Sequence, residues 1–238
     1  MISIKKIVTT GATLLVTGSA FGQVSVTSSE RAVDASYTYQ DQFTDTHLKD
    51  ADSSDQLGAF NSTAVATIDT FASMTSFVGA SGLFTATVDV DRQTTGFGKG
   101  FSEGASSDAS ITIEFSILSA TPYDFVLDAE ASLNIAEADF SFHVASMSET
   151  IVDLNGNQFA NAGGGVVALH SAMNGVLQPG DYTLTASASS SVAFIGSGFD
   201  GGFPVSFDFT LTIPSPPALV AVVFPAALLG VRRRRSDS

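Results

Sequence analysis

The 238-residue sequence predicts an all-β body, an antiparallel two-sheet sandwich of jelly-roll-like organisation, followed by a short apolar C-terminal helix. Three observations carry the prediction. Apolar and polar residues alternate with period two in six separate stretches between residues 23 and 213. The apolar members are largely aromatic or β-branched, which suits half-buried strands. No window of that body carries an apolar stripe of helical period.

In chain order, residues 23–63 are rich in Asp, Ser and Thr and read as a polar, loosely patterned segment ahead of a sandwich domain at 64–213. Phe84, Ala86, Val88 and Val90 then alternate with Thr85, Thr87 and Asp89. Ile111, Ile113, Phe115 and Ile117 follow the same rule, and Tyr123, Phe125, Leu127, Ala129, Ala131 and Leu133 keep it on odd positions. Phe140, Phe142 and Val144 continue on even positions, so a turn or bulge is expected near 134–136. Asn155-Gly156, between Ile151–Leu154 and Asn157–Phe159, is a strong hairpin signal. Gly163–Gly165 precedes a strand at Val166, and Gln178-Pro179-Gly180-Asp181 forms a type II-like turn. Tyr182, Leu184, Ala186 and Ala188 form the next strand, and Asp200-Gly201-Gly202 leads into Val205, Phe207, Phe209, Leu211 and Ile213. Strands with one wet and one dry face fit a sandwich rather than a parallel sheet.

Composition removes several function classes. Residues 23–213 hold 4 basic residues against 23 acidic ones, a net of −19, which repels phosphate backbones and excludes nucleic-acid binding. The chain has no Cys, hence no disulfide, thiolate nucleophile or Cys-bound metal.

Candidate chemistry is sparse. Gly100-Phe101-Ser102-Glu103-Gly104 spells a nucleophile elbow, but that motif needs a strand-to-helix turn and no helix follows. Gly96–Gly100 lacks Walker-A spacing and reads as a loop. His47, His143 and His170 are too scattered for a zinc site, and His143 falls on the outward phase of its strand. Asp153, Asn155 and Asn157 match the start of an EF-hand loop, yet Gln158 and Gly164 stand where that loop needs Gly and Glu. Asp50, Asp52 and Asp55 read as a solvated acidic loop, and Asp128 with Glu130 as neighbours on one outward strand face. No catalytic residue, metal ligand or cofactor is assigned.

The two ends are more specific. Lys5 and Lys6, the apolar stretch Ile7–Val16 and small residues Ala20 and Gly22 ahead of Gln23 have the grammar of a cleaved signal peptide over residues 1–22. At the other end, Pro214-Ser215-Pro216-Pro217 precedes the uncharged segment Ala218–Val231 and then Arg232, Arg233, Arg234 and Arg235. Fourteen apolar residues are few for a span, but a basic block holds such a segment's end inside. A buried terminal helix with a solvated Arg tail is the plainer alternative.

This tail, residues 214–238, resembles the PEP-CTERM sorting signal of exported bacterial proteins. Pro214-Ser215-Pro216 stands at the motif position, with Ser215 where the family usually has Glu. The resemblance implies processing by an exosortase-like enzyme, transient membrane contact through 218–231 and release to the cell surface or extracellular matrix. It covers about 25 residues and carries nothing about the body.

Three functions are therefore expected to compete. The first is a non-enzymatic structural or adhesive module of the cell envelope. The second is a carbohydrate-binding module acting on extracellular polysaccharide, which leans on exposed aromatic rings. The chain has no Trp, and Tyr123 and Tyr182 fall inward, leaving Tyr37 and Tyr39. The third, a secreted hydrolase, lacks a convergent set of acid, base and nucleophile. An exposed aromatic strip would favour the second reading, and a smooth Thr, Ser and Asp surface the first.

Overall fold

The structure, a computed structural model, describes residues 24–94, 102–132, 137–155, 166–195, 201–202 and 204–214. Among these, one sheet contains β1 (Val24–Gln40), β2 (Asp45–Ser54), β6 (Ser102–Ile117), β8 (Glu137–Ser146), β9 (Thr150–Asn155) and β11 (Gly180–Ile195). Their order is β2-β1-β6-β11-β8-β9. The second contains β3 (Gly58–Thr67), β4 (Thr70–Val78), β5 (Leu83–Thr94), β7 (Thr121–Ser132), β10 (Val166–Leu177) and β13 (Val205–Thr212), in the order β10-β7-β13-β5-β4-β3. A two-residue strand, β12 (Gly201–Gly202), pairs with β5.

All pairings are antiparallel. From β5 onward the chain crosses between sheets so that β5-β13-β7-β10 belongs to one and β6-β11-β8-β9 to the other. That connectivity is a jelly roll, as the sequence predicts. The hairpin β1-β2 extends one sheet beyond β6, and β4-β3 extends the other beyond β5.

Alternation builds the core. Phe84, Ala86, Val88 and Val90 of β5 face Ile111, Ile113 and Phe115 of β6 across the sandwich, all at most 1% exposed. Phe142 of β8 lies 4.7 Å from Phe125 and 4.8 Å from Phe209, tying one sheet to two strands of the other. Phe84 meets Phe115 at 5.3 Å. Each such ring pair adds about 0.5–1.5 kcal/mol beyond the area it buries. The change of phase between Phe125 and Phe142 has a topological cause: β7 and β8 belong to opposite sheets. The connecting residues 133–136 lie outside the described set, as do 156–165, which hold Gly156 of the expected turn and Gly163–Gly165; Asn155 ends β9.

The structure corrects the reading of residues 23–63. β1 pairs with β6 from Val24 to Gln40 and with β2 from Arg31 onward. The expected boundary at 63/64 falls inside β3, and the compact unit begins at Gly22. A bulge at Thr27, where register shifts between Val26 and Ser28, explains why no pattern was legible. Inward positions move from Val24 to Ser29, Arg31, Val33 and Ala35, and two of these are polar. Likewise Ala105–Ser110, though polar in composition, belongs to β6, because inward Ala105, Ser107 and Ala109 are small enough to be buried there.

Arg31 holds the crossover from β2 to β3. Its guanidinium is fully buried, donating to the carbonyl oxygens of Gly58 (2.9 Å) and Gln56, with its carbon 5.4 Å from the Phe60 ring centre. Carbonyl dipoles and the ring face thus replace water around the charge. Burial lowers the Arg31 pKa from its ordinary value.

At the turn between β4 and β5, Gly82 has φ of +91° and its carbonyl accepts the Ile213 N–H at 2.8 Å. A Cβ there would stand 2.6 Å from the Ile213 carbonyl oxygen and 3.1 Å from Val24, so only glycine fits. Val24 and Ile213, the first and last core residues of the body, therefore meet at one end of the sandwich.

Arg31→Ala should lower stability by about 2–4 kcal/mol, because two carbonyls lose a charged donor in a buried site. Arg31→Lys should recover only part of this, since one ammonium lacks the fork that spans both carbonyls. Urea midpoints of the three proteins measure it. An unchanged midpoint for Arg31→Ala would show that the clamp contributes nothing.

Candidate binding surfaces

Strand register places the outward side chains in rows that cross the sheets. On the sheet containing β5, one row runs Asn61, Thr75, Thr87, Asp208, Asp128 and His170, from β3 to β10. The next holds Thr63, Ser73, Asp89, Ser206, Glu130 and Ala168. Across β5, β13, β7 and β10 these two rows line an open groove of about 610 Å³.

Asp128 and Asp208 face each other directly across β7 and β13, an arrangement in which like charges repel. Each has an opposite partner. His170 Nδ1 lies 2.6 Å from Asp128, and Thr87 donates to Asp208 at 2.6 Å. Desolvation raises the Asp89 pKa from the usual carboxylate value. The groove therefore offers a bank of hydrogen-bond acceptors and repels anions. Asp128 and Glu130, read from sequence as neighbours on one strand face, do share that face; Asp89 and Asp208 join them only through register.

The other sheet's outer face is a carpet of hydroxyls. Ser36 and Ser106 touch at 2.8 Å, as do Ser141 and Ser187. Thr112, Thr185 and Ser110 continue the surface. Asp34 stands opposite Asp108 and is bridged to Lys49 at 2.8 Å. Burial, and then the Asp34 charge, raise the Asp108 pKa. A second groove of about 610 Å³ borders this face, lined by Glu114, Ser116, His143, Met147, Asp181 and Thr183 among others.

The tyrosines do not make a platform. Tyr37 turns its hydroxyl to Glu103 at 3.0 Å, and Glu103 is itself buried. Tyr39 donates to Asp41 at 3.2 Å. Tyr182 is buried, as expected, and its single hydroxyl proton is shared between the acceptors Glu149 (2.6 Å) and the Gln178 carbonyl (2.9 Å). Burial and the adjacent carboxylates push Tyr37 and Tyr182 up to about 12. Large exposed apolar residues such as Phe43, Ile68 and Met147 stand apart in sequence, on turns.

Each histidine meets an aspartate: His47 with Asp45 at 2.9 Å, His143 with Asp153 at 3.7 Å, and His170 with Asp128. Among the described residues no Ser or Thr hydroxyl bonds to a histidine, and no group of three acidic or histidine side chains is arranged to hold a metal. Ser102, Glu103 and Gly104 lie within β6, so the elbow-like letters fall on extended strand rather than a strand-to-helix turn. Asp50 and Asp52 are not an idle loop: they accept from the Val65 N–H (3.0 Å) and the Ser62 hydroxyl (2.5 Å) on β3. Sequence could not reveal this, because it depends on the two sheets' edges meeting.

Of the two ends, only Pro214 is described, and it is exposed directly after buried Ile213. Ala20, Gly22, Ser215, Pro216, the segment 218–231 and Arg232–Arg235 lie outside the described residues. Among the described residues no helix is long and apolar enough to cross a membrane.

No protein-family model matches the chain, and no curated protein matches it. Among solved structures, it is similar to TmCBM61 in complex with β-1,4-galactotriose. That match has 11% identity and a TM-score of 0.22, covering 60% of this chain and 88% of the other. It is also similar to a carbohydrate-binding module of the β-sandwich superfamily, studied for promiscuous specificity. There the identity is 7% and the TM-score 0.18, with 82% and 98% covered. Likeness at this level assigns no function.

The phenols give a pH test. All four tyrosines have raised pKa values in the fold. The folded state thus holds its phenol protons longer than the unfolded chain, whose tyrosines titrate near 10. Their contribution is complete below pH 10 and is lost as pH rises through about 12. The melting temperature should fall across that window, and Tyr182→Phe should flatten the fall. A flat profile between pH 10 and 12 would contradict it.

Proposed function

We propose that this chain is an exported, non-enzymatic module of the cell envelope, a structural or adhesive β-sandwich delivered by its PEP-CTERM-like tail. The observation that carries the reading is the chemistry of the two outer faces. They present Ser, Thr and carboxylate rows, with the tyrosines engaged by Glu103, Asp41 and Glu149 rather than displayed. Such surfaces hydrate strongly and repel one another, properties suited to a matrix component.

The point at which the body ends supports the delivery half. The last backbone bond of the body is Ile213 to Gly82, and Pro214 is exposed immediately beyond it. Proline has no N–H to extend a ladder, so the motif begins where the fold stops. In this reading Arg232–Arg235 hold the end of 218–231 inside, and an exosortase-like enzyme acts near Pro214-Ser215-Pro216. Mass spectrometry of the mature protein from its native host should give a C-terminus before Ala218. A C-terminus at or beyond Arg232 would refute the sorting role.

A second reading, a carbohydrate-binding module, is favoured by one feature: the groove over Asp128, Asp208, Glu130 and Asp89, whose acceptors suit sugar hydroxyls. On a polysaccharide panel, binding that Asp128→Asn and Asp208→Asn weaken together would establish it. Retention of none of the polymers would leave the structural reading.

A further inference from the structure

A two-sheet sandwich has four edges, and natural proteins protect such edges from pairing with other chains. Three are protected here by identifiable means. β2 carries Asp45, Lys49, Asp50 and Asp52. β3 is sealed by Asp50 and Asp52, which occupy its Val65 N–H and Ser62 hydroxyl. β9 is only six residues long and carries Asp153.

The fourth edge, β10, has none of these devices. It is twelve residues long, reads Val-Val-Ala-Leu-His-Ser-Ala-Met-Asn-Gly-Val-Leu, and lacks proline and every Asp, Glu, Lys and Arg. Among the described residues β7 is its one ladder partner. Its inward residues Leu169 and Met173 pack against the core but remain only partly buried, and among the described residues no strand lies beyond them.

We propose that β10 pairs antiparallel with β10 of a second copy, joining two sandwiches through one continuous twelve-stranded sheet. Two observations select a like copy. In a body of net charge −19, this uncharged edge is where two copies approach with the least repulsion. The strand is also self-complementary about Ser171. A two-fold axis there overlaps residues 166–176 of both copies and sets Leu169 opposite Met173 twice. Residues directly opposite share a face in an antiparallel pair, so both rims join one core. Ser171 then meets its own counterpart, with Cα atoms about 4.5–5.5 Å apart.

The absence of cysteine gives a clean test, run on the full chain. Ser171→Cys is nearly isosteric, and its separation across the axis falls within disulfide range. Mild oxidation should link it into covalent dimers, whereas Ser53→Cys on β2 should stay monomeric. Sedimentation equilibrium of the cysteine-free protein should show a dimer that strengthens with salt, as screening relieves acid repulsion. Met173→Lys, checked for an unchanged strand spectrum, should weaken it at least about tenfold by burying an unpaired charge. A monomer at every concentration would overturn the proposal. So would association that survives Met173→Lys without linkage at Ser171, since that would place the contact elsewhere, for instance in the tail. Neither result bears on sorting or on polysaccharide binding.

Discussion

Everything in this fold follows from the rule that a strand in a sandwich gives the core only every second side chain. A body that spends half its strand residues on solvent must fill the interior with large groups from the other half. Phenylalanine does this here: Phe84, Phe115, Phe125, Phe142 and Phe209 reach across the gap between sheets, and smaller Val and Ala fill the spaces beside them. The same rule fixes the exterior. Register turns the remaining residues into rows of Ser, Thr and Asp, so both faces become polar surfaces by the same geometry that makes the core.

Charge is then distributed by what each region can tolerate. Carboxylates on the open faces have local partners such as His170, Thr87 and Lys49, while Asp89 and Asp108 are partly desolvated. Others do structural work at the margin, where Asp50 and Asp52 close the edge of β3. Arg31, one of two buried arginines among the described residues, sits where the chain leaves one sheet for the other. A guanidinium can satisfy several carbonyls of a turn that has no ladder of its own. Its position explains how the β1-β2 hairpin is bound to β3 despite the polar character of β2.

The outer surfaces hold many of their titratable groups beside local partners. Acidic residues gather over β5, β13 and β7, and each histidine lies beside an aspartate. That arrangement holds side chains in place and offers acceptors. Val24 and Ile213, the first and last core residues of the body, both lie against Gly82, at one end of the sandwich.

The sequence by itself determined the fold class, because period-two alternation of aromatic and β-branched residues leaves few alternatives for β5, the later half of β6, β7, β8, β11 and β13. It also located the inward tyrosines and the outward Asp128, since phase along a strand is local information. It could not disclose β1. The bulge at Thr27 moves the inward phase, and the positions that follow include Ser29 and Arg31, whose burial is made tolerable only by partners on β2 and β3. The row of Asp128, Asp208 and Thr87 and the sealing of β3 by Asp50 and Asp52 were likewise decided by tertiary structure. Each depends on which strands become neighbours, and a jelly roll makes neighbours of strands far apart in the chain.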